Sequence, residues 1–113
     1  MSASTSSKGR RGEDAAARFL TSRGYRILAR NVHLPGGELD LVCLDGNCLV
    51  FVEVKLRCGS SFGSALAGVG PRKRAALRAA AADYAQIVAP GRRFRFDVVA
   101  IDGNRLALHR NAF

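Results

Sequence analysis

With 113 residues, 48% of them hydrophobic, the chain has the length of one domain and enough apolar side chains for a packed core, which excludes wholesale disorder. Eighteen Lys and Arg against nine Asp and Glu leave a net charge of +9, an excess that favours polyanionic partners through long-range attraction and counterion release. No apolar stretch approaches bilayer-spanning length, and Cys43, Cys48 and Cys58 are odd in number with no CxxC pair, so neither a membrane span, a disulfide framework nor a structural zinc site is expected.

The opening MSASTSSKGRRGE lacks the apolar centre of a secretory signal, so a reducing cytoplasm is the expected location. The basic residues are scattered, with no amphipathic helix of bulky apolar side chains opposite them, which argues against a membrane partner. Residues 1–8 read as a flexible polar tail, and residues 9–113 as a single domain.

In chain order, a first helix is predicted from about Gly12 to Arg23, with Gly24 ending it in a left-handed cap. Its apolar stripe is Ala16, Ala17 and Leu20, and Glu13 heads the same stripe. Tyr25 to Val32 reads as a strand closed by Pro35-Gly36-Gly37. Glu38 to Leu44 and Cys48 to Arg57 are the next two strands, separated by Asp45-Gly46-Asn47. Gly- and Ser-rich residues Cys58 to Gly70 form a long connection. Pro71 suits the first position of a second helix reaching about Val88, with Leu77, Ala80, Ala81, Tyr84, Ile87 and Val88 as its buried stripe. Arg93 to Ile101 and Arg105 to His109 are the last strands, joined by Asp102-Gly103-Asn104. The order α-β-β-β-α-β-β predicts an α/β fold: a mixed sheet covered by helices, with the fourth strand parallel to the third across the helical crossover.

The hairpin register carries the chemistry. Gly46-Asn47 suits a two-residue type II′ turn, which pairs Leu44 with Leu49, Val42 with Phe51, and Asp40 with Glu53. A turn on Asp45-Gly46 makes the two acids diagonal neighbours on one face, whereas a three-residue loop puts them on opposite faces. Lys55 follows on the same side as Glu53. The other face is read as Leu39, Leu41, Cys43, Val50, Val52, Val54 and Leu56, so both sides of the hairpin look covered. Carboxylates and an ammonium at the end of a buried face are costly unless paired or bound to an ion.

Opposed β-carbons lie roughly 4.5–5.5 Å apart, within reach of one cation, and an all-oxygen donor set favours Mg²⁺ or Mn²⁺. Asp40 and Glu53 are the candidate ligands, Glu13 an outer or water-mediated one, and Lys55 the group that orients water or offsets charge in phosphodiester cleavage. The rival is an Asp40–Lys55–Glu53 salt bridge on a solvated edge, which contributes little. Arg72, Lys73 and Arg74 at the start of the second helix are candidate nucleic-acid contacts, as is Arg57 beside the proposed site. Asp97, in an apolar strand near Arg95, reads as structural.

Asp40 followed by Glu53-Val54-Lys55 resembles the bipartite PD-(D/E)XK nuclease motif, with Leu39 where the name has Pro. More closely, the chain resembles the YraN-type bacterial family. The matching stretches are Gly12-Glu13, Gly24-Tyr25, Ile27 to Asn31, Gly37 to Val42, Val50 to Lys55 with Arg57, Phe62-Gly63, Lys73, and Arg95 to Val99. That resemblance implies a restriction-endonuclease-like fold akin to archaeal Holliday-junction resolvases. It also implies a site of Glu13, Asp40, Glu53 and Lys55, and a metal-dependent endonuclease for DNA more than RNA, branched DNA included. Junction resolvases cut two strands symmetrically, which implies a homodimer. A non-catalytic nucleic-acid-binding module on the same fold is the alternative expectation.

Overall fold

A computed structural model describes residues 3–57 and 69–113. Helix α1 (Ala3–Ser22) starts earlier than the predicted Gly12. It ends as expected at Gly24 (φ +91), where Tyr25 N–H donates to Leu20 O and Gly24 N–H to Thr21 O, both at 3.0 Å. That pair of bonds is a Schellman closure, and the left-handed residue it needs costs glycine least.

Strands β1 (Arg26–Leu34), β2 (Gly37–Asp45) and β3 (Cys48–Arg57) form an antiparallel meander. The β2–β3 turn has Gly46 at φ +61, and Asp45 pairs with Cys48, Leu44 with Leu49 and Val42 with Phe51. This is the register that a Gly46-Asn47 turn dictates. Helix α2 (Pro71–Val88) carries the chain across to β4 (Phe94–Asp102), which runs parallel to β3, and β5 (Arg105–His109) returns antiparallel at the edge. Sheet order is sequential, β1 to β5. The result is the expected α/β architecture, a mixed five-stranded sheet with one helix on each face.

Side-chain alternation divides the core in two. Val42, Phe51, Phe96 and Val98 pack under α2 with Leu77, Ala80 and Ala81, while Leu41, Cys43, Val50, Val52 and Val99 pack under α1 with Ala16 and Leu20. Gly36 in the β1–β2 turn abuts α2 so closely that a β-carbon there would lie 2.9 Å from Ala79 Cβ. Asp97 is fully buried and satisfied, which bears out its structural reading. It accepts from Tyr25 Oη (2.6 Å), Asn111 N (2.9 Å) and Arg95 Nε (2.9 Å), and Arg95 Nη2 also donates to Asp45 Oδ2 (2.8 Å).

Two expectations are corrected. Ile87 is 74% exposed and Val88 53%, and the inward position of that turn belongs to Ala85. Val88 lines an open cleft with Asp45 and Cys48, and Ile87 borders a groove with Leu34 and Pro35. Leu39 packs with Val42, Phe51 and Leu77 on the α2 side, not with Leu41 and Cys43. The alternation breaks at Asp40, opposite Asn31, which is left-handed at φ +53 between the pairs Arg30–Leu41 and Val32–Leu39. Among the described residues no helix is long and apolar enough to cross a membrane.

Candidate active site

The irregularity at Asn31 shapes the site. The β2–β3 ladder ends at Leu41–Val52, one step short of Asp40, and the β1–β2 ladder skips the same residue. In place of a backbone acceptor, the Asp40 carboxylate accepts the Val54 N–H through Oδ2 at 2.9 Å. Its side chain is thereby fixed where β2 parts from both neighbours, at the boundary between the two faces of the sheet.

From β3, Glu53 reaches the same place on the α2 side. It is 6% exposed and shares a side-chain hydrogen bond with Asp40. Burial first, and then the Asp40 charge, push its carboxyl up to about 7, partly offset by Lys73. Lys73 Nζ lies 3.4 Å from Glu53 Oε2. The two acids on neighbouring strands therefore converge as the register predicts, and burial beside a second carboxylate favours the protonated form of Glu53.

Glu13 enters from α1 on the opposite side of the sheet, 9% exposed. Burial raises its pKa, an Asn31 hydrogen bond lowers it, and the Asp40 charge raises it again. Its Oε1 is buried with no hydrogen-bond partner among the described residues. A buried carboxylate oxygen of this kind is costly unless water or a cation completes it.

The lysine beside the acids is the one from α2. Lys55 is half-buried, registers against Ala100 and pairs with no carboxylate among the described residues. Arg74 is engaged elsewhere, donating Nε to Val69 O at 2.7 Å with its guanidinium over the Phe113 ring. Arg72 is exposed. The Arg57 side chain lies outside the described residues, as do Phe62 and Gly63. Asn31 is the residue that the sequence reading passed over. An Asn inside a β-run, the non-glycine type most tolerant of left-handed backbone, was its available signal.

Among the described residues no three His, Cys, Asp or Glu side chains stand together as a ready metal cluster. The Asp40–Glu53 pair nonetheless fits the way Mg²⁺ is commonly held, by one or two carboxylates with water and substrate oxygens completing the shell. The unpartnered Glu13 oxygen, electrostatically coupled to Asp40, fits an outer, water-mediated role.

Residues 12–101 match the model of the uncharacterised protein family UPF0102. The chain is 49% identical to a UPF0102 protein of Bordetella avium, over 94% of this chain and 74% of that protein. It is 45% identical to one of Dechloromonas aromatica, over 96% of this chain and 90% of that protein, and 46% identical to one of Ralstonia pickettii, over 96% and 91%. The Glu13 to Asp97 span that holds every acid described above falls within the matched region, and the chain belongs to UPF0102, the YraN-type family.

Proposed function

We propose that this protein is a divalent-metal-dependent phosphodiesterase of the PD-(D/E)XK type, acting on nucleic acid and on DNA before RNA. The observation that carries the reading is the meeting of Asp40 and Glu53, delivered from two adjacent strands to one buried point, with a lysine 3.4 Å away. A net charge of +9 supplies the attraction for a polyanionic substrate. Mg²⁺ or Mn²⁺ held there would activate water and offset charge on the phosphoryl oxygens. Asp40 is positioned by its bond from Val54 N–H, so it presents its carboxylate without rotamer search. Asp40 and Glu53 would hold the cation, whose charge would favour the ionised form of Glu53. Glu13 holds water through its free oxygen, and Lys73, on a helix start, supplies a positive charge for a phosphate oxygen.

The test uses labelled duplex, single-stranded and four-way DNA with Mg²⁺ or Mn²⁺. Cleavage that requires metal and disappears in Glu53→Ala is expected. No cleavage of any substrate, or equal cleavage by Glu53→Ala, overturns the reading.

A second reading, a nucleic-acid-binding module without catalysis, is favoured by Lys55, which makes no ion pair with the acids. Calorimetric titration with Mn²⁺ separates the two. Catalysis requires uptake that is lost in Asp40→Asn, whereas the module binds DNA with a steep salt dependence and takes up no metal.

A further inference from the structure

At the far end of β3 from the acids, the β2–β3 hairpin and the C-terminus of α2 enclose an open cleft of about 770 Å³. Arg92, Arg93 and Arg95 line it, with Asp45, Cys48 and Val88. The third arginine is already neutralised: Arg95 donates to Asp45 and Asp97, and that pairing also occupies the one acid in the cleft wall. Arg92 and Arg93 are exposed, and their side chains pair with no acid among the described residues.

Neither arginine is needed to close the helix. Ala89 N–H donates to Ala85 O at 2.9 Å and Arg92 N–H to Ala89 O at 3.1 Å, so the backbone completes its own turn through Gly91 at φ +80. Arg93 O in turn accepts from Leu49 N at 3.0 Å, which ties the segment to β3. Two uncompensated guanidiniums thus stand on a fixed backbone at the mouth of a concavity, beside Val88, whose exposure of 53% the core does not explain. Unpaired guanidiniums on a tethered backbone suit a phosphate, and an apolar wall suits the sugar or base attached to it.

We propose that this cleft is a second nucleic-acid contact, holding two neighbouring backbone phosphates of the strand whose scissile bond lies at Asp40 and Glu53. The proposal rests on the nucleic-acid reading above and deepens it. From Cys48 to Glu53 along β3 is roughly 17 Å at 3.3 Å per residue, about five nucleotides at 3.4 Å per strand step. Between the two points lies α2, whose outer surface carries Arg72 and Arg78 and a single acid, Asp83.

The experiment measures anisotropy of labelled oligonucleotides over a salt series, without metal, for the parent, for Arg92→Glu/Arg93→Glu, and for Arg18→Glu/Arg26→Glu as a control of equal charge change. The cleft pair is expected to lose at least about tenfold in affinity, and to flatten the log–log salt dependence by about two phosphate contacts. Strands of eight nucleotides should lose more than strands of four. Amide NMR titration with inorganic phosphate, dAMP and an eight-mer accompanies it, reading Asn47, Cys48 and Gly91. Shifts with the eight-mer support the strand contact, whereas shifts with phosphate and dAMP but not the eight-mer assign the cleft to free phosphates and overturn it. Equal losses in the control pair, or silent cleft amides, also overturn it. Cleavage retained with parent-like binding by the cleft variant sinks this inference alone, and cleft binding without metal-dependent cleavage sinks the catalytic reading alone.

Discussion

Lys73 Nζ lies 3.4 Å from Glu53 Oε2, so the ammonium that neutralises the buried acid comes from helix α2 and not from Lys55, two residues along the acid's own strand. A strand lysine at that position shares a face with the acid but leans along the strand, whereas a lysine on the first turn of a docked helix points down onto the sheet beneath it. The docking of α2 therefore sets the electrostatics of the site as much as the hairpin does.

The first prediction concerns pH. Burial and the Asp40 charge push Glu53 up to about 7 from an ordinary value of 4.5. Between those two values the folded protein holds a proton that the unfolded chain has released. Stability therefore falls as pH rises through that window, by about 3 kcal/mol if the whole shift is expressed. Glu53→Gln keeps the shape and removes the titration. Urea unfolding between pH 4 and 8 should show the variant gaining on the parent between about 4.5 and 7 and levelling off above, and a difference that stays flat with pH would rule out the buried, proton-holding Glu53.

A second prediction isolates Lys73. Its charge lowers the Glu53 pKa against burial and Asp40. Replacing it by methionine, which keeps most of the side-chain volume, should raise that pKa further. Carbon-detected NMR of the Glu53 carboxyl reads the shift directly. The Lys55→Met variant should leave the titration nearly unmoved, and the reverse ranking would mean that the strand lysine is the counter-ion.

Legibility in the sequence followed the range of the interactions. Gly24, Gly46 and Pro71 act within a few residues through backbone constraints, so the close of α1, the start of α2 and the hairpin register were readable, and with that register the approach of Asp40 to Glu53. Leu39 turns to the α2 side where the alternation of β2 breaks opposite a left-handed Asn31, an irregularity that periodicity does not reveal. The helical stripe likewise placed Ile87 and Val88 inward, because a 3.6-residue period records which side of a helix is apolar and not how far along the helix that side stays covered. The Lys73–Glu53 pair joins residues twenty apart through the crossover, and only the docked helix brings them together.

The third prediction tests that corrected helix face. Leu77 is buried among Phe51, Phe96 and Leu39, while Ile87 stands in solvent over a shallow groove with Leu34 and Pro35. Leu77→Ala should cost about 2–5 kcal/mol through lost burial and a residual cavity. Ile87→Ala should stay within about 0.5 kcal/mol, as substitutions outside the core do. Equal losses in urea unfolding would restore Ile87 to the core.

The last prediction concerns the opposite face of the sheet, where Asp97 registers against Val52. Asp97 is fully buried on β4 and accepts hydrogen bonds from Tyr25, Arg95 and the Asn111 amide, tying α1's exit, β4 and the C-terminal segment together. Its charge is half of a buried pair whose other half, Arg95, has its guanidinium pKa raised chiefly by that hydrogen bond. Asp97→Ala leaves the Arg95 guanidinium with Asp45 as its one remaining acid and removes the acceptor of the Tyr25 O–H and the Asn111 N–H. Breaking one side of such a pair costs about 3–5 kcal/mol, a large part of the roughly 5–15 kcal/mol that holds a domain together. The companion Arg95→Met/Asp97→Leu removes both charges and should recover part of the loss, because the uncompensated charge, and not the absent contact, dominates the single variant. A single variant within 1 kcal/mol of the parent in urea unfolding, or a double variant worse than the single, would show that this network is not what secures the end of the sheet behind the arginine cleft.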